Sequence, residues 1–279
     1  MILNSCMDGI IVRIISNLYT VKCGSMFVDC RARGKFRNMK LTPLVGDRVK
    51  VDVDSKYIVD ILNRKNELLR PRVANIDVCL IVTSLKHPDF SSLLLDKMLA
   101  NIVLSDIEPV IVFTKYDLLD EDEKKDMQAI MDYYKKNGYK VIINYEYESI
   151  LDLLRGKTVT LTGQTGAGKS TFLNKIKPDL NLKTDDISEA LGRGKHTTRH
   201  VELFSIDGIY FIDTPGFSAL DIHVDKENLK FAFKEFKNDE CKFRDCMHIN
   251  EVGCKVREDV ESKIILESRY ENYKKMVSE

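Results

Sequence analysis

One stretch limits what this chain can fold into more than any other: Gly163-Gln164-Thr165-Gly166-Ala167-Gly168-Lys169-Ser170. It satisfies GxxxxGK[ST], the phosphate-cradling P-loop. It also stands where such a loop must, after the apolar strand pattern KTVTLTG (157–163) and before the helical pattern STFLNKI (170–176). The glycines let successive backbone N–H groups turn inward at a helix N-terminus, where the helix dipole favours anions. Lys169 is then placed to reach the β- and γ-phosphates and the Ser170 hydroxyl to ligate Mg²⁺, with Thr171 next in the same turn. A glycine-rich turn arising by chance would not need both flanking elements.

A P-loop alone does not choose the base or the chemistry. Asp213-Thr-Pro-Gly216 closes the strand pattern GIYFIDTPG (208–216). A DxxG at a strand end brings an aspartate near Mg²⁺ and a glycine N–H near the γ-phosphate, so Asp213 and Gly216 are assigned there. Thr114-Lys115-Tyr116-Asp117 is similar to the guanine motif NKxD. Its aspartate carboxylate accepts from guanine N1 and N2, donors that adenine lacks, so Asp117 is the residue that selects GTP over ATP. In ordinary GTPases this motif follows the P-loop, whereas here it precedes it. Strand neighbours in space survive such a rearrangement if the old chain ends are joined. The order 114–117, 163–170, 213–216 therefore predicts a circularly permuted GTPase domain, in which the segment after Gly216 runs straight into the C-terminal region.

Between P-loop and DTPG lies GRGKHTTRH (192–200), in the place of switch I. There a threonine completes the Mg²⁺ shell in the GTP state; Thr197 and Thr198 both qualify. Phe217 follows Gly216, where Ras-like enzymes carry the glutamine that orients water. An apolar ring cannot orient water, which leaves His196 as the internal candidate, against a solvated or RNA-contacting role for the same histidine.

The rest of the chain divides around this core. Residues 9–16, 19–23, 26–32, 47–53 and 57–62 read as short strands rich in β-branched residues, separated by turn formers. That pattern suits a small barrel, an OB-fold or one like SH3. From residue 72 strands alternate with helices, as in a mostly parallel sheet covered on both faces. Beyond about residue 223 the chain becomes charged and helical. The expected domains are 1–68, 69–222 and 223–279. In the last, Cys241, Cys246, His248 and Cys254 offer three thiolates and an imidazole, a closed tetrahedral set suited to one structural Zn²⁺. Such a short, charged region has little apolar core, and a metal would supply folding energy. The other reading is a set of reduced, buried cysteines. In the loop after the third strand Arg31, Arg33, Lys35, Arg37 and Lys40 crowd around Phe36, which is either an RNA-contact surface or a solvated loop.

Composition narrows the remaining classes. Lysine plus arginine and aspartate plus glutamate number 43 each, so nucleic-acid contact has to come from local patches. The odd count of seven cysteines argues against a secreted disulfide framework and for a reducing cytoplasm. Asp8 and Arg13 interrupt the N-terminal apolar stretch, so neither a signal peptide nor a membrane span is expected.

Taken together, these motifs resemble the circularly permuted, ribosome small-subunit-dependent GTPase A (RsgA) family. The resemblance runs through ARGKFR (32–37), VGDRV (45–49), RKNELLRPRVANID (64–77), TKYDL, GQTGAGKST, GRGKHTTRH, DTPGF and CKFRDCMHINEVGC. It implies an N-terminal OB-fold, a central permuted GTPase domain and a C-terminal zinc-binding helical domain. It further implies a GTPase that acts late in assembly of the small ribosomal subunit, binds it through rRNA and is stimulated by it. The family's zinc ligands fall on Cys241, Cys246, His248 and Cys254, and its catalytic histidine on His196. Two positions depart from the family. Thr114 replaces an asparagine whose contact steadies the P-loop, and that contact is expected to be weaker. The motif that donates an N–H to guanine O6 is not recognisable in INYEYESI (142–149), where residues near Asn144 and Tyr145 fill its place. A monomer in the cytoplasm, bound to GTP or GDP with Mg²⁺, is the expected form. The competing readings are an rRNA-binding module with negligible hydrolysis, which Phe217 favours, and a small-molecule P-loop kinase, which Asp117 disfavours.

Overall fold

The structure, a computed structural model, describes residues 6–69, 72–143, 146–176, 201–206, 208–213 and 226–279. The chain packs into two units, each assembled from separated stretches: Met1–Cys79 with Tyr147–Leu161 and Lys169–Phe217, and Leu80–Glu146 with Thr162–Gly168 and Ser218–Glu279.

In the first unit β1 (Cys6–Ile15), β2 (Leu18–Cys23), β3 (Met26–Ala32), β4 (Arg48–Asp52) and β5 (Tyr57–Ile61) form the expected barrel, each end at most three residues from the anticipated one. Their order is β1-β2-β3-β5-β4, and β4 pairs back onto β1, which closes the ring. β3 and β5 run parallel and the other barrel pairs antiparallel, an OB-like topology. Alternation drives it: Val21, Val28, Cys30, Val49, Val51 and Ile58 point inward and are buried. Cys23 and Cys30 are among the seven free cysteines and serve as core hydrophobes. The basic loop departs from a plain solvated segment. It contains a one-turn helix, α1 (Lys35–Asn38), that turns Phe36 into the barrel core. Phe36 is therefore a plug and not an exposed stacking surface.

The barrel is locked to the segment after it. Gly46 has φ +91°, and a Cβ there would lie 2.0 Å from the Ala74 carbonyl oxygen, so only glycine allows this approach. Next to it the fully buried Asp47 accepts from the Leu44 N–H at 2.7 Å and from the Arg64 guanidinium at 2.7 and 2.8 Å. Arg64 also pairs with Glu67. The charge-rich linker thus folds as a hairpin, β6 (Glu67–Leu69) with β7 (Arg72–Ala74), which its sequence did not suggest. Further on, β11 (Thr158–Thr162) pairs in parallel with β13 (Ile209–Asp213), and β13 with β12 (Glu202–Ile206) antiparallel. β12 in turn pairs with β1 at Arg13 and Glu202. α4 (Tyr147–Leu154) and α5 (Lys169–Ile176) complete this unit.

In the second unit β8 (Val78–Ser84, from Leu80 on), β9 (Glu108–Thr114) and β10 (Lys140–Ile143) lie in the order β10-β9-β8. β8 is buried at every residue and β9 at all but its first, as the continuous apolar runs of a covered parallel sheet require. α2 (Ser92–Leu104) and α3 (Glu121–Lys136) join them, α3 starting from a capping box of Asp120 and Glu123. After the Cys/His region come only two helices, α6 (Lys255–Glu261) and α7 (Glu267–Ser278). α7 is tied to the sheet's helices by one buried guanidinium. Arg269 donates to Asp96 of α2 at 2.5 Å and to Glu235 at 2.7 and 3.1 Å. Asp96 also accepts from Tyr134 of α3 at 2.7 Å and Asn272 of α7 at 2.7 Å. The rings of Phe233, Tyr134 and Tyr139 surround the cation, at 4.4, 5.2 and 5.6 Å.

Removing that cation strands two buried carboxylates. Arg269→Ala is expected to cost about 3–5 kcal/mol, read as a lower urea midpoint by tyrosine fluorescence. A loss under about 1 kcal/mol would mean that water reaches Asp96 and Glu235.

Candidate nucleotide site and metal centre

The P-loop is shaped by what it packs against. Gly163 sits at φ +145°, and a Cβ there would lie 2.0 Å from the Val82 carbonyl oxygen of β8. That close approach ends β11 and turns the chain into the loop. Gln164 is half-buried, Thr165 and Gly166 are exposed at the tip, and Ala167 is buried beneath them. The loop is held from below by the TKYD segment. Thr114, the last residue of β9, donates its hydroxyl to the Ala167 carbonyl at 2.6 Å. Lys115 adopts the left-handed conformation at φ 59°, which sends its ammonium to the Gly166 carbonyl at 3.0 Å and to the His87 carbonyl. The exchange of asparagine for threonine therefore keeps the tether, because a hydroxyl at the strand end still reaches the loop. Tyr116 and Asp117 follow in one 3₁₀ turn (Tyr116–Leu118), with the Asp117 carboxylate exposed.

Beyond the loop, Lys169 and Ser170 open α5, followed by the exposed Thr171. Ser170 is buried, and burial pushes the Lys169 ammonium down to about 8. An incoming phosphate would oppose that shift by favouring the cation. Asp213 is the last residue of β13, as its motif demands. Gly216, Phe217, His196, Thr197, Thr198, Asn144 and Tyr145 lie outside the described residues.

Cys241, Cys246, His248 and Cys254 converge, with one ligand atom from each lying within 4.8 Å of the others. His248 Nδ1 lies 3.5 Å from Cys241 Sγ and 3.3 Å from Cys254 Sγ. Its Nε2 lies 2.6 Å from Asn238 Oδ1, an outer partner that fixes the ring with Nδ1 toward the sulfurs. No spacing rule announces Asn238. Side chains bonded to its backbone hold the ligand loop: the Glu251 carboxylate accepts from the Met247 and Ile249 N–H groups at 2.8 Å each, and the Tyr270 hydroxyl donates to the His248 carbonyl at 2.6 Å. Burial lowers His248 to about 4 and raises Cys246 to about 12, so the imidazole stays neutral and the thiol protonated without a cation. Three convergent sulfurs and a neutral, oriented imidazole fit a structural zinc site.

On the barrel Arg31, Arg33, Arg37 and Lys40 line one groove of about 970 Å³. Lys35 does not join them and lines an adjoining depression with Asp52 and Tyr57.

The RsgA GTPase family model matches residues 61–223 and the RsgA N-terminal domain model residues 8–58. The small ribosomal subunit biogenesis GTPase RsgA of Geobacillus sp. is 46% identical over 283 aligned positions, covering 98% of this chain and 97% of that protein. The Enterococcus faecalis protein of the same name is 46% identical, covering 98% and 95%. Among solved structures, YjeQ from Thermotoga maritima superposes with a TM-score of 0.85 at 37% identity, covering 98% of each chain. YloQ, described as a circularly permuted GTPase, gives 0.84 at 34%, covering 100% of this chain and 96% of that one.

The Thr114 hydroxyl is the least expendable of the tethers, since its loss leaves the Ala167 carbonyl buried without that donor. Thr114→Val should weaken GDP binding by about 5- to 10-fold, equivalent to one hydrogen bond of about 1 kcal/mol. Thr114→Asn should restore it, with fluorescent GDP titration as the measurement.

Proposed function

This chain belongs to the RsgA GTPase family, and from that premise we propose that it hydrolyses GTP to GDP and phosphate while serving maturation of the small ribosomal subunit. The observation that carries the reading is the joining of the TKYD segment to the P-loop through Thr114 and Lys115, which holds an exposed Asp117 in a fixed relation to the phosphate cradle. The backbone N–H groups of residues 163–168 hold the phosphates, and Lys169 neutralises charge on the β- and γ-groups. Ser170, Asp213 and one of Thr197 and Thr198 would hold Mg²⁺, which would offset the charge developing on the phosphates. Asp117 accepts from guanine N1 and N2. His196 orients the attacking water, a task Phe217 cannot perform.

Around this engine residues 1–68 form the rRNA-binding domain, with Arg31, Arg33 and Arg37 on one groove and Lys35 beside it. Residues 69–222 form the permuted GTPase domain, and residues 223–279 hold one Zn²⁺ through Cys241, Cys246, His248 and Cys254. The protein works as a cytoplasmic monomer. Phe217 favours slow unaided turnover, with acceleration left to the subunit.

Three substitutions test these roles. Asp117→Asn is expected to move nucleotide preference from GTP to xanthosine triphosphate in a phosphate-release assay; retained GTP preference would remove Asp117 from base recognition. His196→Ala should lower kcat by about 10²-fold at nearly unchanged GTP affinity, and full turnover would assign water orientation elsewhere. Cys246→Ser should abolish the zinc signal in atomic emission and loosen the fold of residues 226–279 in proteolysis, because Cys246 and Cys254 belong to both the ligand set and the apolar cluster of this region.

A further inference from the structure

A second groove, of about 480 Å³, lies between the outward face of the barrel strands β2 and β3 and the hairpin β12–β13. Alternation along β2 turns Thr20 and Lys22 outward, and along β3 it turns Phe27, Asp29 and Arg31 outward. The register sets Lys22 opposite Phe27 and Thr20 opposite Asp29, whose carboxylate accepts the Thr20 hydroxyl at 2.7 Å. Phe27 is 64% exposed, a large fraction for a phenylalanine on a strand. Across the groove Tyr210 of β13 is half-buried, with the Lys22 ammonium 5.1 Å from its ring centroid. The two walls thus present aromatic rings with a cation between them.

We infer that this groove seats an unstacked base of a single-stranded RNA on the exposed Phe27 ring, with Lys22 and Tyr210 forming the opposite wall. Aromatic faces flanked by cations bind bases of any sequence by stacking, provided the base is not already paired in a duplex. The charged groups facing the groove are Arg13 and Lys22 against Asp29 and Glu202, so it carries no net charge. It suits a base rather than a phosphate, with the carboxylates placed to accept from exocyclic amino groups. The phosphates are taken up elsewhere: Arg31 stands four residues along β3 from Phe27 on the same face, about 13 Å away. Arg31 also lines the larger basic groove, so one strand of RNA can pass from the cationic loop into the aromatic groove. The inference rests on the proposal that the barrel binds RNA. It adds that the bound strand touches β12–β13, the hairpin that ends at Asp213.

Titration of the full-length protein with a short single-stranded RNA carrying 2-aminopurine tests both ideas separately. Wild type should bind and quench the fluorescent base. Phe27→Ala should weaken binding about 10-fold and abolish quenching, and Phe27→Tyr should retain both. The pair Arg31→Ala with Arg33→Ala should bind more weakly with a smaller salt dependence, yet keep the quenching at saturation. If only the arginine variant loses affinity, the groove assignment is wrong while the basic surface stands. Absence of binding by wild type overturns both. Unchanged RNA binding by Phe27→Ala with reduced affinity for small ribosomal subunits would make the groove a protein-docking site and overturn the proposal.

Discussion

Two hydrogen bonds make the rearranged chain workable. The carbonyls of Ala167 and Gly166 in the P-loop accept from Thr114 and Lys115, residues 53 and 51 positions earlier in the sequence. A phosphate cradle and the Asp117 carboxylate proposed to read the base are useful only if their separation is fixed. Here that separation is set by side chains reaching from the end of β9 to the loop, without regard to which segment comes first. The glycine at 163 serves the same end, since only a residue without a Cβ lets the loop start against β8. Permutation therefore costs the site little, because its parts are joined through space and not along the chain.

The same principle recurs at the other junctions. Asp47 and Arg64 bind the barrel to the segment leaving it, and Arg269 binds α7 to α2 beside Glu235. Each is a buried charge whose partners come from distant stretches. Buried ion pairs add modest net stability, but each is expensive to break, so they select one arrangement among several of similar apolar burial. Residues 226–279 were expected to have little apolar core, yet Leu229, Phe233, Phe236, Val256, Ile265, Tyr273 and Met276 form a buried cluster that includes Cys246 and Cys254, with the Phe236 ring against His248.

Much of this was legible in the sequence, for identifiable reasons. The barrel strands, β8, β9 and β11 follow from alternation or continuous apolar runs, which burial on one or two faces imposes. The P-loop, TKYD and the Cys/His set are local patterns whose chemistry fixes their spacing. What escaped is set by tertiary contact. The charged linker folds into β6–β7 because Asp47 and Gly46, far back in the chain, receive it. Phe36 was expected among surface cations and is instead a barrel plug, since a single helical turn redirects it. Thr114 was expected to weaken the loop contact; its hydroxyl still reaches the Ala167 carbonyl at 2.6 Å, a reach that residue type does not reveal. Asn238 holds His248 from a position no motif marks.

The most direct test of the central claim is phosphate release from GTP and from ATP by the purified protein, with and without small ribosomal subunits. A guanine-selective, permuted GTPase with Phe217 in the glutamine's place predicts slow GTP turnover that rises strongly with subunits, and no ATP turnover in either case. GTP turnover indifferent to subunits would contradict the coupling to the ribosome, and hydrolysis of ATP would contradict the role of Asp117.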